Sequence, residues 1–328
     1  MCAAPATTST CFTTFRLNES TFSIREEDIY GEHPLIYAKI FQDPPLLLLS
    51  DTGCGGHGLS PDIEITSLRE YLETYPISSN SSLPLNPHGK LPYLIICTHC
   101  HYDHILGIPH FTTPGSNTTF LASSYDPSFI TKSLPTHSLC HHLGIETPSY
   151  NVSYWADHFE KITYDSLSLN IQILHTPGHT PDELAWYDRT ERHLYVGDTL
   201  YEVGPGPEPA PIMFPKEGDL IDYMQSLRTL KSFIAAQNEE YPSRPRVKIG
   251  CAHITSSVDA AEIVDEVQAL FVYIIEGKVP IADSMKQRGE ICDFYMEAKD
   301  AKFCVRVPRR LVDDARRFYH KHPALLSF

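Results

Sequence analysis

His99-Cys100-His101-Tyr102-Asp103-His104 follows directly on the apolar run Tyr93-Leu94-Ile95-Ile96-Cys97. That run is short and has no polar alternation, which predicts a strand covered on both faces. The six residues after it carry three imidazoles and one carboxylate, the nitrogen and oxygen donors that zinc accepts. Residues two apart on extended backbone point the same way, so His99 and His101 can grip one ion. The turn that follows swings Asp103 and His104 toward a second.

A single histidine is usually a solvated surface residue, but this tract has company. Leu167 to Leu174 alternates with period two and runs into Thr176-Pro177-Gly178-His179; His193-Leu194-Tyr195-Val196 ends at Gly197-Asp198; Val247 to Cys251 precedes His253. Each candidate ligand falls just past the C-terminal end of a predicted strand, where open α/β architectures place their sites. Upstream, Thr13 to Leu17, Leu35 to Ile40 and Leu46 to Leu49 read as strands, the last turning at Asp51-Thr52-Gly53. Helices are expected over Ser67 to Leu72, Asp219 to Ala236 and Ser257 to Glu276, with Gly277 as a stop. Ser78 to Gly89 and Gly204 to Pro211 read as loops, and the chain from Val279 onward as a small mixed extension.

With H-x-H-x-D-H complete, and with Asp51-Thr52-Gly53, Thr176-Pro177-Gly178-His179-Thr180, Gly197-Asp198-Thr199 and His253 in order, the sequence resembles the metallo-β-lactamase superfamily. The resemblance implies an α/β fold, an αββα sandwich, with the site at one edge of two sheets. It implies one metal on His99, His101 and His179, another on Asp103, His104 and His253, and Asp198 bridging both. Two zinc ions are the expectation, with manganese or iron as alternatives. Aspartate at position 198 is the pattern of the lactonase, thioesterase and glyoxalase II-like branch, which places antibiotic hydrolysis in doubt. The implied activity is attack on a small lactone, cyclic amide or carbamate, or thioester by metal-bound hydroxide, since two cations lower the pKa of shared water from 15.7 toward roughly 7. An acyl-CoA thioesterase, or an iron-dependent sulfur dioxygenase or oxidoreductase on the same ligands, is the alternative. Asp103 is the candidate proton carrier, and Tyr201, three residues after Asp198 as in the lactonases, either polarises the substrate carbonyl or simply packs.

Composition narrows the classes further. A net charge of -15 over 328 residues argues against a nucleic-acid partner, and so against a tRNA-processing type of nuclease. A non-catalytic binder would need a damaged ligand set, whereas all seven positions are intact. A small-molecule substrate is expected, with no membrane partner, since no apolar run approaches the roughly 20 residues of a membrane span; oligomeric state is not legible. Residues 1-328 are read as a single domain, core about 13-275 and C-terminal extension about 279-328. No secretory signal is visible at the N-terminus, so a cytoplasmic location, reduced cysteines and unmodified sequons at Asn18, Asn80, Asn117 and Asn151 are expected.

Several neighbours could mislead. Cys97 and Cys100 form a C-x-x-C pair, read as packing rather than a redox or zinc motif, and Cys251 as buried in a strand. His137, His141 and His142 read as loop histidines with a pocket role open. Asp51 is expected to accept the second N-H of a ligating histidine rather than bind metal. Tyr150, Tyr154, Trp155, Phe159, Ile212, Met213 and Phe214 either wall an apolar pocket or pack.

Overall fold

The computed structural model describes residues 8-206 and 208-326. They divide into two compact units, the first made of residues 8-122, 131-155 and 163-169, the second of residues 123-130, 156-162, 170-206 and 208-326.

The first unit is organised by a seven-stranded mixed sheet in the order β1 (Phe12–Arg16), β2 (Thr21–Glu26), β3 (Leu35–Gln42), β4 (Pro45–Ser50), β5 (Tyr93–Ile96), β6 (Thr118–Ser123), β7 (Tyr154–Ala156). The first four strands meander antiparallel; β5 then enters parallel to both β4 and β6. Every side chain of β5 is buried, as the unbroken apolar run predicts. Leu46 to Leu49 on β4 are buried on both faces for the same reason. Helix α1 (Leu68–Thr74) begins where Ser67 accepts a hydrogen bond from the Glu70 N–H. Among the strands that sequence reading misses is β2, which lies between the predicted strands Thr13 to Leu17 and Leu35 to Ile40 and carries the charged pair Arg25 and Glu26. Glu26 is in fact buried, and its carboxylate accepts from the N–H groups of Cys54 and Gly56 at 2.8 and 2.6 Å.

The short helices α2 (Tyr102–Ile105), α3 (Pro127–His137) and α4 (Cys140–Leu143) follow in sequence, so His137, His141 and His142 stand on helical turns rather than in a loop. His141 and His142 are exposed.

The second unit holds, apart from residues 163-169 of the first two, the strands β8 (Lys161–Tyr164), β9 (Leu167–His175), β10 (Leu184–Asp188), β11 (His193–Tyr195), β12 (Ile212–Met213), β13 (Lys248–Gly250), β14 (Val258–Asp259), β15 (Ile281–Gln287), β16 (Glu290–Tyr295) and β17 (Val305–Pro308). They form a six-stranded sheet, β14-β13-β11-β10-β9-β8, and a four-stranded sheet, β12-β17-β16-β15. Helix α5 (Leu220–Glu240) is capped by Asp219 and α6 (Ala260–Ile275) by Asp259, each accepting two backbone N–H groups. Gly277, at φ +75°, ends α6.

The chain from Val279 onward, read as a small mixed extension, packs into the core of the second unit. Val305, Val307, Leu311 and Val312, from β17 and α7 (Arg309–Lys321), belong to the same buried cluster as Leu194, Met224, Leu227 and Phe271. Burial contributes about 1.5–3 kcal/mol for each such side chain. Four of them amount to on the order of 6–12 kcal/mol, comparable to the whole net stability of a domain.

Candidate metal centre

In the first unit the backbone does what the tract predicts. His101 is still extended (φ -67°, ψ 154°) and the helical turn α2 begins at the next residue, redirecting Asp103 and His104. His99 Nε2 and His101 Nδ1 lie 3.0 Å apart, and His104 Nε2 lies 3.3 Å from an Asp103 carboxylate oxygen. All four side chains are buried. Bringing so many ionisable groups together away from water is costly unless something compensates their charge.

Asp51 organises this half. Its Oδ1 accepts from the Thr98 N–H at 2.7 Å, and its Oδ2 from the Thr98 hydroxyl and from His104 Nδ1–H at 2.8 and 2.9 Å. A carboxylate only accepts, so the His104 proton sits on Nδ1 and Nε2 carries the lone pair. The adjoining Thr52 fixes the ligand's backbone, its N–H and hydroxyl both donating to the His104 carbonyl. Asp51 adopts a left-handed φ of +65°, and the turn continues through Gly53 at φ +73°, where a Cβ would come within 2.1 Å of Glu26 Oε2. Burial pushes the Glu26 carboxyl up to about 8, against the pull of its two N–H donors.

The second unit supplies His179, Asp198 and His253, all buried. Asp198 turns one oxygen to each histidine: Oδ2 is 3.7 Å from His179 Nε2 and Oδ1 is 3.3 Å from His253 Nε2. His179 Nδ1–H donates to the Met213 carbonyl at 2.7 Å, which again leaves Nε2 as the donor atom. Gly178, at φ +141°, permits this turn to lie against α5, for a Cβ there would meet the Tyr223 backbone at 2.4 Å. The Asp198 N–H and the Thr199 hydroxyl both donate to Glu183 Oε1, at 2.9 and 3.1 Å.

The donor set fits a borderline divalent cation. Within the first unit, His99 pairs with His101 and Asp103 with His104; within the second, Asp198 pairs with both His179 and His253. Each pair's ligand atoms lie within 4.8 Å of one another.

Asp51 holds a histidine, as expected. Among the described residues no cysteine is in a disulfide, and Cys97, Cys100 and Cys251 are buried. Burial pushes the Cys251 thiol well up, so it offers no thiolate at neutral pH. Ile212 and Phe214 lie in the core and Tyr150 packs on Phe120, which favours the packing reading for these three, whereas Phe159 is exposed although it stacks on Phe233. The Tyr201 phenol is engaged by the backbone of the 211–213 segment. Its hydroxyl donates to the Pro211 carbonyl at 2.7 Å and receives the Met213 N–H at 3.3 Å. Sequence reasoning missed Glu183, Thr98 and the Met213 carbonyl. Thr98 and Glu183 sit beside the motifs and could have been found there, whereas a backbone carbonyl leaves no side-chain signal.

Comparison with known proteins agrees with this description. The family model for the Metallo-beta-lactamase superfamily matches residues 92–242. A protein of Aspergillus versicolor named "Putative transcription factor avaE" is 32% identical over 314 residues, covering 94% of this chain and 89% of the relative. A Hydroxyacylglutathione hydrolase of Nitrosomonas eutropha is 32% identical over 117 residues, 35% of this chain and 36% of that enzyme. Among solved structures, an archaeal metallo-beta-lactamase superfamily protein from Sulfolobus tokodaii aligns with a TM-score of 0.53 at 16% identity, over 83% of this chain and 93% of its own.

Proposed function

Since the chain belongs to the metallo-beta-lactamase superfamily, we propose that it is a dinuclear metal-dependent hydrolase of small carbonyl substrates. The observation that carries this reading is Asp198, which directs one carboxylate oxygen to His179 and the other to His253, the disposition a bridging ligand requires. We assign one ion to His99, His101 and His179 and a second to Asp103, His104 and His253, with Asp198 shared. Zinc suits the five imidazoles and two carboxylates best.

Metal ions bound there would supply Lewis acidity to a substrate carbonyl and make water acidic near neutral pH. The chain's own residues do the rest. Asp51 and the Met213 carbonyl fix the tautomers and directions of His104 and His179. The Asp103 carboxylate takes the proton released by the attacking water and returns it to the leaving alkoxide, amine or thiolate. Each of these side chains is buried, which strengthens the electrostatic contacts it makes.

Lactones, cyclic amides or carbamates, and thioesters remain the substrate candidates, and the partial likeness to Hydroxyacylglutathione hydrolase keeps thioesters among them. The name of the Aspergillus versicolor relative raises a second reading, DNA binding. A net charge of -15 opposes it, because phosphate contacts need clustered cations.

Zinc-loaded protein and its His101→Ala variant, assayed on a panel of all three substrate classes and in a mobility-shift titration with duplex DNA, decide between the readings. Turnover of one class that disappears in the variant supports the hydrolase. A specific DNA shift without turnover of any class would overturn it.

A further inference from the structure

We propose that Tyr201 is a positioning residue for the metal ligand His179, acting through strand β12, and that the C-terminal sheet is thereby part of the metal centre; this rests on the metal-binding reading above. The phenol stands at the middle of a short relay. Its O–H donates to the Pro211 carbonyl at 2.7 Å while its oxygen receives the Met213 N–H at 3.3 Å, so one hydroxyl clamps both ends of a three-residue segment. The carbonyl of that same Met213 accepts His179 Nδ1–H at 2.7 Å. Where β12 sits therefore sets where His179 Nε2 points.

The other side of β12 is held by the tail. Ile212 pairs with Val305 and Met213 with Arg306 in a parallel ladder, with the Ile212 N–H donating to the Cys304 carbonyl at 2.8 Å and the Phe214 N–H to the Arg306 carbonyl at 2.9 Å. A two-residue strand has few bonds of its own. It is ordered by β17 on one side and the Tyr201 hydroxyl on the other, with the Tyr201 ring 5.2 Å from that of His253. Tyr201 is buried, so its ring fills core volume whether or not the hydroxyl is present. Removing only the oxygen isolates the relay.

The test is Tyr201→Phe in the full-length protein, with Tyr187→Phe, a buried tyrosine of the same core outside the C-terminal sheet, as control. Zinc affinity is read by competition with a chromophoric chelator, and kcat is then read at saturating zinc. Tyr201→Phe is expected to weaken one of the two zinc equivalents by about tenfold or more, within the 10–100-fold range of changes to groups that orient metal ligands, and to leave kcat at saturating zinc within about threefold. Tyr187→Phe should leave both unchanged. An unaltered zinc affinity in Tyr201→Phe overturns the proposal, and if kcat falls about 100-fold alongside it the carbonyl-polarising role is supported instead. Should Tyr201→Phe fail to fold, Val305→Ala on the facing strand must weaken the same zinc equivalent or the relay is refuted. Wild-type protein that binds no zinc overturns the metal reading itself, an outcome distinct from equal affinities in wild type and variant.

Discussion

The two units contribute candidate ligands in opposite ways. The first places four of them within six consecutive residues, on the end of one strand and the turn after it, and a single side chain, Asp51, steers the set. The second collects three from turns at 179, 198 and 253, and steers His179 with a backbone carbonyl whose strand is ordered by the C-terminal sheet. A local constellation depends on the register of a few residues. A dispersed one depends on the packing of a whole core, so changes far from it should reach it.

The largest effect is expected where the dispersed half carries most. Asp198→Ala removes the carboxylate that faces both His179 and His253, and should lower hydrolysis at least about 1000-fold while metal content, read by plasma mass spectrometry, falls with it. Retained metal and activity would break the comparison by showing the two halves to be independent.

Acid should act on both units through rings that take no part in the centre. Burial lowers His110 of the first unit to about 4 and His193 of the second to about 3. Both are neutral folded and unfolded above pH 6.5. Below it the unfolded chain gains protons that the folded one refuses, so stability is lost as pH falls from 6.5 toward these values. The loss is roughly 3 kcal/mol per ring by pH 4. Chemical denaturation at pH 7 and 4 should show a smaller acid loss in His110→Gln and in His193→Gln; identical acid limbs in all three proteins would refute the assignment.

A smaller effect is expected at Asp51. Asp51→Asn keeps a residue that tolerates the left-handed φ but removes the charge that holds His104 Nδ1–H, and should weaken metal binding about 10–100-fold. An equal loss in Tyr201→Phe would mean that the dispersed half is as tightly steered as the local one.

The same contrast explains what the sequence discloses. His99, His101, Asp103 and His104 are legible because adjacency in the chain is adjacency in space, and His179, Asp198 and His253 because each follows a patterned strand. Strand β2 is not legible: Glu26 reads as a solvated turn until the amides of Cys54 and Gly56, some thirty residues on, are seen to point at it. Nor is the role of the tail. The chain from Val279 onward reads only as a small mixed extension, and nothing in the pattern of Val305, Val307 and Leu311 says that they join the core around α5 and α6, or that β17 orders the strand behind His179.

The most direct test of the central claim is the metal-to-protein ratio of zinc-reconstituted wild type beside His101→Ala and His253→Ala, measured by plasma mass spectrometry after removal of loosely held ions. Two zinc ions per chain in the wild type, with a loss in each variant, is the predicted result. A wild-type ratio near zero, or one that neither substitution changes, would contradict the account.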